Sequence, residues 1–206
     1  MQSIGFIGLG NMGGNMAARY LAAGYTVYGE ARNRESAKWL IDQGLQWVDT
    51  PRELAAAADV VMTSLPNDDA VESVAAGPNG LLAGLGEGKV WADLSTISPD
   101  VSRKLAARVR DEGRGARMLD MPVSGSVPQV KSGTLTIMVG GDEDAFRALS
   151  RSCASSEPRS TSARTAKDWC SSSRSTSAWA SRCSPSRRAF CSPNATGSIR
   201  TGPPRS

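Results

Sequence analysis

Six residues near the start of the chain have the types and spacing to bind a phosphate. They follow an apolar run over residues 3–7 and precede apolar residues at helical spacing over 11–23, in the order Gly8, Leu9, Gly10, Asn11, Met12, Gly13. In this pattern the first glycine permits a tight turn, the second admits a pyrophosphate to the backbone, and the third allows close packing of helix on strand. The helix start supplies unpaired N–H groups. A glycine turn without a ligand is the alternative.

The segment after the second β-rich run bears on the choice between NAD and NADP. An acid there would bind a ribose 2′-hydroxyl, whereas an arginine would accept a 2′-phosphate. Glu30 therefore favours NAD, and Arg32 and Arg34 favour NADP. A solvated loop of mixed charge, or an ion pair between Glu30 and either arginine, would give the same sequence.

The elements around these residues alternate between strand and helix. Strands are predicted at 3–7, 25–28, 46–48, 59–64, 89–94, 117–120 and 133–139, and helices at 11–23, 36–43, 51–57, 69–75, 98–112 and from 142. This order predicts an α/β fold over residues 1–150, a Rossmann-like, doubly wound parallel sheet that binds ligands at the carboxyl ends of its strands.

The composition changes near residue 150. Residues 151–206 contain no Leu, Val or Met, so we expect a disordered Ser/Arg-rich tail. The net charge of +4 divides into +8 for the tail (nine Arg and one Lys against two acids) and −4 for residues 1–150, which argues against a nucleic-acid surface on the folded part.

Histidine is absent and every cysteine lies in the tail, so we predict no metal site. No apolar run reaches the roughly 18 residues of a membrane span, and the N-terminus lacks signal-peptide features, so a cytoplasmic location is expected.

Several segments together resemble the 3-hydroxyisobutyrate dehydrogenase, or β-hydroxyacid dehydrogenase, family, whose nucleotide-binding half is of the 6-phosphogluconate dehydrogenase type. The resemblance covers roughly residues 1–149. It rests on the glycine segment Phe6–Ala17, Ser64-Leu65-Pro66, the D-x-S-T-x-x-P segment Asp93–Pro99, the loop Asp120–Ser126, and the segments Ser132–Leu135 and Met138–Gly141.

The resemblance implies roles for individual residues. Leu65 and Pro66 would line the cofactor, and Thr96 would contact its nicotinamide end. The substrate carboxylate would bind at Ser124, Gly125 and Ser126. Counting along the family pattern, the acid position falls on Ala31 and the arginine of NADP-using members on Arg32, which favours NADP and leaves NAD as the alternative.

Two departures from the family pattern put the substrate preference in question. Met121 replaces an alanine and adds bulk beside the substrate loop. Ser126 replaces the last glycine and adds a side chain where backbone should approach the ligand.

The family implies a hydride transfer between a nicotinamide cofactor and a small carboxylate, either a 3-hydroxy acid or a semialdehyde or glyoxylate. Its members continue into a helical domain that carries a catalytic lysine in G-x-x-G-x-G-x-x-x-K-x-x-x-N and through which they form homo-oligomers. Lys167 is the only lysine in the tail, and its surroundings do not match. We therefore assign no catalytic residue, and we expect this chain to bind cofactor but to be catalytically incomplete.

The genetic code suggests an origin for the tail. When Asp168-Trp169-Cys170 is read one base earlier, the codons must encode Leu-Val. With permitted codons over 163–176, that frame gives G-E-N-G-K-G-L-V-L-K-L-A-I-N, which contains the lysine motif. We therefore expect a frameshift near residue 150. The alternative is a non-enzymatic nucleotide-binding module whose basic tail binds nucleic acid.

Overall fold

The computed structural model describes residues 3–154. Its centre is a seven-stranded sheet in the order β3-β2-β1-β4-β5-β6-β9, in which the first six strands are parallel and β9 runs antiparallel to β6. The strands of this sheet are β1 (Ser3–Ile7), β2 (Thr26–Glu30), β3 (Gln46–Trp47), β4 (Val60–Thr63), β5 (Val90–Asp93), β6 (Arg117–Asp120) and β9 (Gly140–Gly141). A two-stranded antiparallel sheet pairs β7 (Val123–Ser124) with β8 (Thr136–Ile137).

Helices cover both faces of the large sheet. They are α1 (Asn11–Ala22), α2 (Lys38–Ile41), α3 (Pro51–Ala57), α4 (Asp68–Ala75), α5 (Leu81–Gly84), α6 (Pro99–Glu112), α7 (Val127–Ser132) and α8 (Glu143–Ala154). Two hydrophobic cores lie between the sheet and these helices. The first core lies under α1, α2, α7 and α8 on one face, and the second core lies under α3, α4, α5 and α6 on the other face. The predicted doubly wound α/β fold is confirmed.

Alternation along the strands assigns each side chain to one core. In β4, for example, Val60 and Met62 lie in the first core and Val61 lies in the second. Both faces are buried, so these central strands are continuously apolar, as expected of a parallel sheet. In β4 and β5 the buried polar side chains, Thr63 and Asp93, lie at the carboxyl ends of the strands.

Several helices begin at the residues whose side chains can cap them. The Thr50 hydroxyl accepts the Glu53 N–H at the start of α3, and the Asn67 amide oxygen accepts the Ala70 N–H at the start of α4. Ser98 precedes Pro99 at the start of α6. The loops that follow β4 and β5 therefore end at the capped first turns of α4 and α6.

The prediction of a strand over 133–139 is wrong in extent. Only Thr136–Ile137 are extended, and Gly133 instead ends α7 in the left-handed conformation (φ 74°). Helices α5 and α7 were not predicted because each spans six residues or fewer. The predicted helix over 36–43 is a 3-10 turn, Glu35–Ala37, followed by the single turn of α2.

Helix α8 extends to Ala154, past the change in composition at residue 150. The boundary there, between a domain over 1–150 and a tail over 151–206, stays a prediction, and most of the tail lies outside the described residues. Within residues 3–154, no helix is long and apolar enough to cross a membrane, and no group of three or more His, Cys, Asp or Glu is placed to hold a metal ion.

Candidate functional site

The turn between β1 and α1 requires two of its glycines for packing. The Gly8 N–H donates a 3.0 Å hydrogen bond to the Glu30 carbonyl oxygen, and Gly8 has a φ of +90°. A Cβ at Gly8 would lie 2.4 Å from the Ser64 carbonyl oxygen, and one at Gly13 would lie 2.1 Å from the Gly8 carbonyl oxygen. The chain can therefore make this turn against β4 and α1 only with glycine at both positions.

Gly10 is different, because a Cβ there would meet no described atom within 4 Å. Gly10 is the N-cap of α1 and has no side chain to cap it, and no acid lies in the first turn. The first helical hydrogen bond runs from the Gly14 N–H to the Gly10 carbonyl oxygen at 2.8 Å. The N–H groups of residues 11–13 thus have no partner within the helix. Unpaired N–H groups at a helix start favour the binding of an anion such as a phosphate.

At the end of β2, the neighbouring residues Glu30 and Ala31 lie on opposite faces of the sheet. Tyr28 packs against the second core, and strand alternation places Glu30 on the same side. Ala31 packs against the first core, the side that holds α1. Burial raises the pKa of the Glu30 carboxyl above its ordinary value. Glu30 is therefore directed away from the face of α1, and Ala31 takes the place on that face.

The two arginines beyond β2 have different surroundings. The Arg34 guanidinium carbon lies 5.8 Å from the centre of the Trp47 ring, a cation–π distance. Arg32 is exposed, and among residues 3–154 no hydrogen bond or ion pair involves its side chain. Arg32 is thus the arginine available to bind a ligand.

The loops after β4 and β5 lie next to each other at the carboxyl edge of the sheet. The Leu65 N–H donates a 3.0 Å hydrogen bond to Ser95 Oγ, and the Ser98 N–H donates a 2.9 Å bond to Asp68 Oδ1. Hydrogen bonding from the Ser98 side chain, and then from this Ser98 N–H, lowers the pKa of the Asp68 carboxyl. Thr96 lies between the two anchored serines and is exposed. Leu65 is half-buried and Pro66 is exposed. The predicted cofactor-lining residues are therefore brought together.

The predicted substrate residues follow β6 at the same edge of the sheet. Ser124, Gly125 and Ser126 are exposed, and Gly125 has a φ of +136°. Gln129 Oε1 accepts both the Ser126 N–H at 3.0 Å and the Ser126 hydroxyl at 2.7 Å. The Ser126 amide is thus engaged in starting α7. Met121, expected to add bulk beside this loop, has its side chain buried in the first core.

Asp93 is a buried residue at this edge of the sheet to which no sequence motif assigns a function. Its carboxyl is fully buried at the end of β5 and bonded to Thr63 and Ser95. The only signal in the sequence was an acid at the end of an otherwise apolar strand, directly before the segment that carries Thr96.

The family model described as the NAD binding domain of 6-phosphogluconate dehydrogenase matches residues 3–154. This chain belongs to that family. The match covers every described strand and helix, including the glycine turn and both anchored loops. These residues therefore form an NAD-binding domain of that type.

The chain is 43% identical over 159 residues to a mitochondrial protein of Arabidopsis thaliana named as a probable 3-hydroxyisobutyrate dehydrogenase, a match that covers 71% of this chain and 45% of the relative. The solved 3-hydroxyisobutyrate dehydrogenase of Mycobacterium tuberculosis with L-serine has a TM-score of 0.69 and 31% identity, over 84% of this chain and 53% of that one. A structure of Psf3 in complex with NADP⁺ and 2-OPP has a TM-score of 0.71 and 32% identity, over 82% and 55%. The chain spans about half the length of the curated relatives it matches.

Proposed function

We propose that the domain over residues 3–154 binds NADP(H) and is the nucleotide-binding half of a 3-hydroxyacid dehydrogenase. The observation that carries this proposal is the open start of α1. Gly10 leaves room beside three N–H groups that have no helical partner, and no acid lies there to repel phosphate. The resemblance to 3-hydroxyisobutyrate dehydrogenases supports the reaction class.

The cofactor would bind along the carboxyl edge of the sheet. Its pyrophosphate would contact the loop of Gly8, Leu9, Gly10, Asn11, Met12 and Gly13, and Leu65, Pro66 and Thr96 would line the nicotinamide side. When bound, the nicotinamide supplies the hydride acceptor or donor of the reaction. The exposed loop Ser124–Ser126 would bind the carboxylate of a small 3-hydroxy acid, a semialdehyde or glyoxylate.

The preference for NADP over NAD rests on Arg32. This side chain is exposed and has no described partner, whereas Arg34 lies on Trp47 and Glu30 is on the other face from α1. A 2′-phosphate would gain a charge-assisted bond from Arg32. NAD(H) is the alternative, and it would need a hydrogen-bond acceptor for its 2′-hydroxyl on the α1 face, where this chain has Ala31.

The experiment is a titration of the purified 206-residue chain with NADPH and with NADH, followed by energy transfer from tryptophan to the reduced nicotinamide. We expect both cofactors to bind and NADPH to bind about tenfold or more tightly, a difference of about 1.4 kcal/mol. Equal affinity would contradict the NADP preference. No binding of either cofactor would contradict the proposed function itself.

Catalysis is expected to need a lysine that this chain does not encode in frame. We propose that the codons after about residue 150 are shifted by one base relative to the ancestral frame, and that the ancestral frame encodes the helical domain and its catalytic lysine. Sequencing the coding DNA from about codon 145 to codon 180 tests this directly. A shifted frame that reads G-x-x-G-x-G-x-x-x-K-x-x-x-N supports the proposal, and any other sequence there contradicts it.

The expected partners follow from the same proposal. A small carboxylate is the proposed substrate, and homo-oligomers would form through the helical domain. The cytoplasmic location stays a prediction, which fractionation of cells expressing the chain would test.

A further inference from the structure

The carboxyl group of Asp93 is one of the few polar groups buried in the described part of the chain. Its Oδ1 accepts the Thr63 hydroxyl at 2.7 Å and the Ser95 N–H at 3.0 Å. Its Oδ2 is buried as well, and no described residue donates a hydrogen bond to it. An ionised carboxylate has about four acceptor sites over two oxygens, and burial of an unpaired charge is strongly unfavourable.

The direction of the hydrogen bonds is fixed by Trp91. The indole Nε1–H can only donate, and it donates to the Thr63 oxygen at 2.9 Å. The Thr63 hydroxyl therefore points its own proton at Asp93 Oδ1. Since Oδ1 accepts two bonds, a proton on this carboxyl belongs on Oδ2.

The other charged groups near this point of the sheet do not neutralise Asp93. Asp120 occupies the paired position on β6, and its Oδ2 accepts the Ser102 hydroxyl from α6. Asp68, at the start of α4, is bonded to Ser98. Both are acids, and within residues 3–154 no cation is bonded to Asp93. Burial raises the pKa of the Asp93 carboxyl above its ordinary value, although the hydrogen bonds from Ser95 and Thr63 lower it in part.

The same carboxyl holds two loops together. Asp93 binds the Ser95 N–H, and Ser95 Oγ in turn accepts the Leu65 N–H. The chain of bonds thus runs from the second core through Trp91, Thr63, Asp93 and Ser95 to the loop after β4. Thr96, the next residue, is exposed at the edge where the cofactor is proposed to bind.

We propose that Asp93 is a neutral, protonated carboxylic acid that acts as a positioning residue, joining the loops after β4 and β5 and so fixing the backbone that presents Thr96. A neutral acid suits this place because it accepts both bonds at Oδ1 without a buried negative charge beside Asp120. The relevance of the proposal to Thr96 rests on the proposed function. The protonation of Asp93 and its joining of the two loops do not depend on the proposed function.

The first test is spectroscopic and uses the 206-residue chain without cofactor. The infrared difference spectrum between the wild-type chain and D93N isolates the Asp93 carboxyl. At neutral pH we expect the C=O stretch of a protonated acid, and T63V should move this band to higher frequency because it removes a hydrogen bond to the carbonyl oxygen. D120N is the matched control, and it should keep the band. A carboxylate band in place of the acid band overturns the proposal.

The second test is hydrogen exchange at the Leu65 and Ser95 N–H groups. D93N keeps an oxygen at Oδ1 and no charge, so it should preserve the exchange rates, whereas D93A should accelerate exchange by about tenfold or more. The Glu53 N–H, which is bonded to Thr50 in α3, is the reference amide and should not change. Faster exchange in D93N than in the wild-type chain overturns the proposal, even if D93A does not fold.

Cofactor affinity separates this proposal from the proposed function. D93N should bind NADPH within about threefold of the wild-type chain, a difference under about 0.7 kcal/mol. Failure of the wild-type chain to bind NADPH refutes the proposed function but leaves the infrared and exchange results to decide on Asp93.

Discussion

A Cβ placed on Gly13 would lie 2.1 Å from the carbonyl oxygen of Gly8, so these two residues must touch for α1 to pack against β1. Gly10, between them in the chain, faces open space instead. One glycine pattern therefore contains positions needed by the fold and a position available to a ligand. The two requirements can be tested separately by mutation.

The matched pair G13A and G10A makes that test. We expect G13A to lower the free energy of unfolding by about 1–3 kcal/mol, because backbone must move to admit the methyl group. G10A should change it by less than about 1 kcal/mol, yet weaken NADPH binding about tenfold or more by filling the phosphate site. Urea unfolding and cofactor titration of both variants give the comparison. Unchanged affinity in stably folded G10A would remove Gly10 from the binding site.

The two arginines after β2 form a second matched pair. R32S should weaken NADPH binding by about 10–100-fold, because it removes one charge-assisted hydrogen bond worth about 1.5–3 kcal/mol, and should leave NADH binding unchanged. R34S should affect both cofactors equally and slightly, since Arg34 lies over Trp47. Titrations at constant ionic strength measure the four affinities. An equal loss for NADH and NADPH in R32S would show that Arg32 does not read the 2′-phosphate.

Glu30 predicts a pH dependence of stability. Burial raises its pKa, so the folded state holds the proton more tightly than the unfolded state, and the stability that Glu30 contributes falls as pH rises through the folded pKa. E30Q cannot ionise, so its stability relative to the wild-type chain should increase as the pH rises above the ordinary glutamate pKa. Urea unfolding at several pH values measures this difference. E35Q, at an exposed residue of the adjacent turn, is the control and should follow the wild-type profile.

The sequence was sufficient to predict those parts of the fold that depend on local signals. The β4 strand is a continuous apolar run, and the glycine turn has its own spacing, so both were predicted close to their observed positions. The segment after β6 was not, because α7 is a short helix with Pro128 in its first turn, and Gly133 ends it where alternation suggested a strand.

The candidate site also contains residues that local motifs predict and contacts that they do not predict. Thr96 and Gly10 were found from motifs that each lie within one stretch of chain. The bond between Thr63 and Asp93 joins residues 30 positions apart, and the bond between Leu65 and Ser95 spans the same separation. Contacts of this kind depend on the order of strands in the sheet, which places β4 beside β5. Pattern and propensity carry no information on such pairs.

Helix α7, which follows the proposed substrate loop Ser124–Ser126, is attached to α1 by Arg19, and this attachment can be removed by mutation. The Arg19 Nη1 donates a 2.7 Å hydrogen bond to the Lys131 carbonyl oxygen in the last turn of α7, next to Gly133. R19M keeps an apolar stem but removes this donor from the helix end. It should therefore lower the free energy of unfolding by about 1–2 kcal/mol and accelerate hydrogen exchange over residues 124–135.

K131M is the matched control for R19M, because it changes an exposed side chain and leaves the carbonyl that Arg19 binds in place. Hydrogen exchange over residues 124–135 should follow the wild-type chain in K131M and rise only in R19M. If K131M loosens the segment as much as R19M does, then the end of α7 depends on charge near it and not on the Arg19 bond. Slow exchange in both variants would show that the pairing of β7 with β8 is enough to hold Ser124–Ser126 in place.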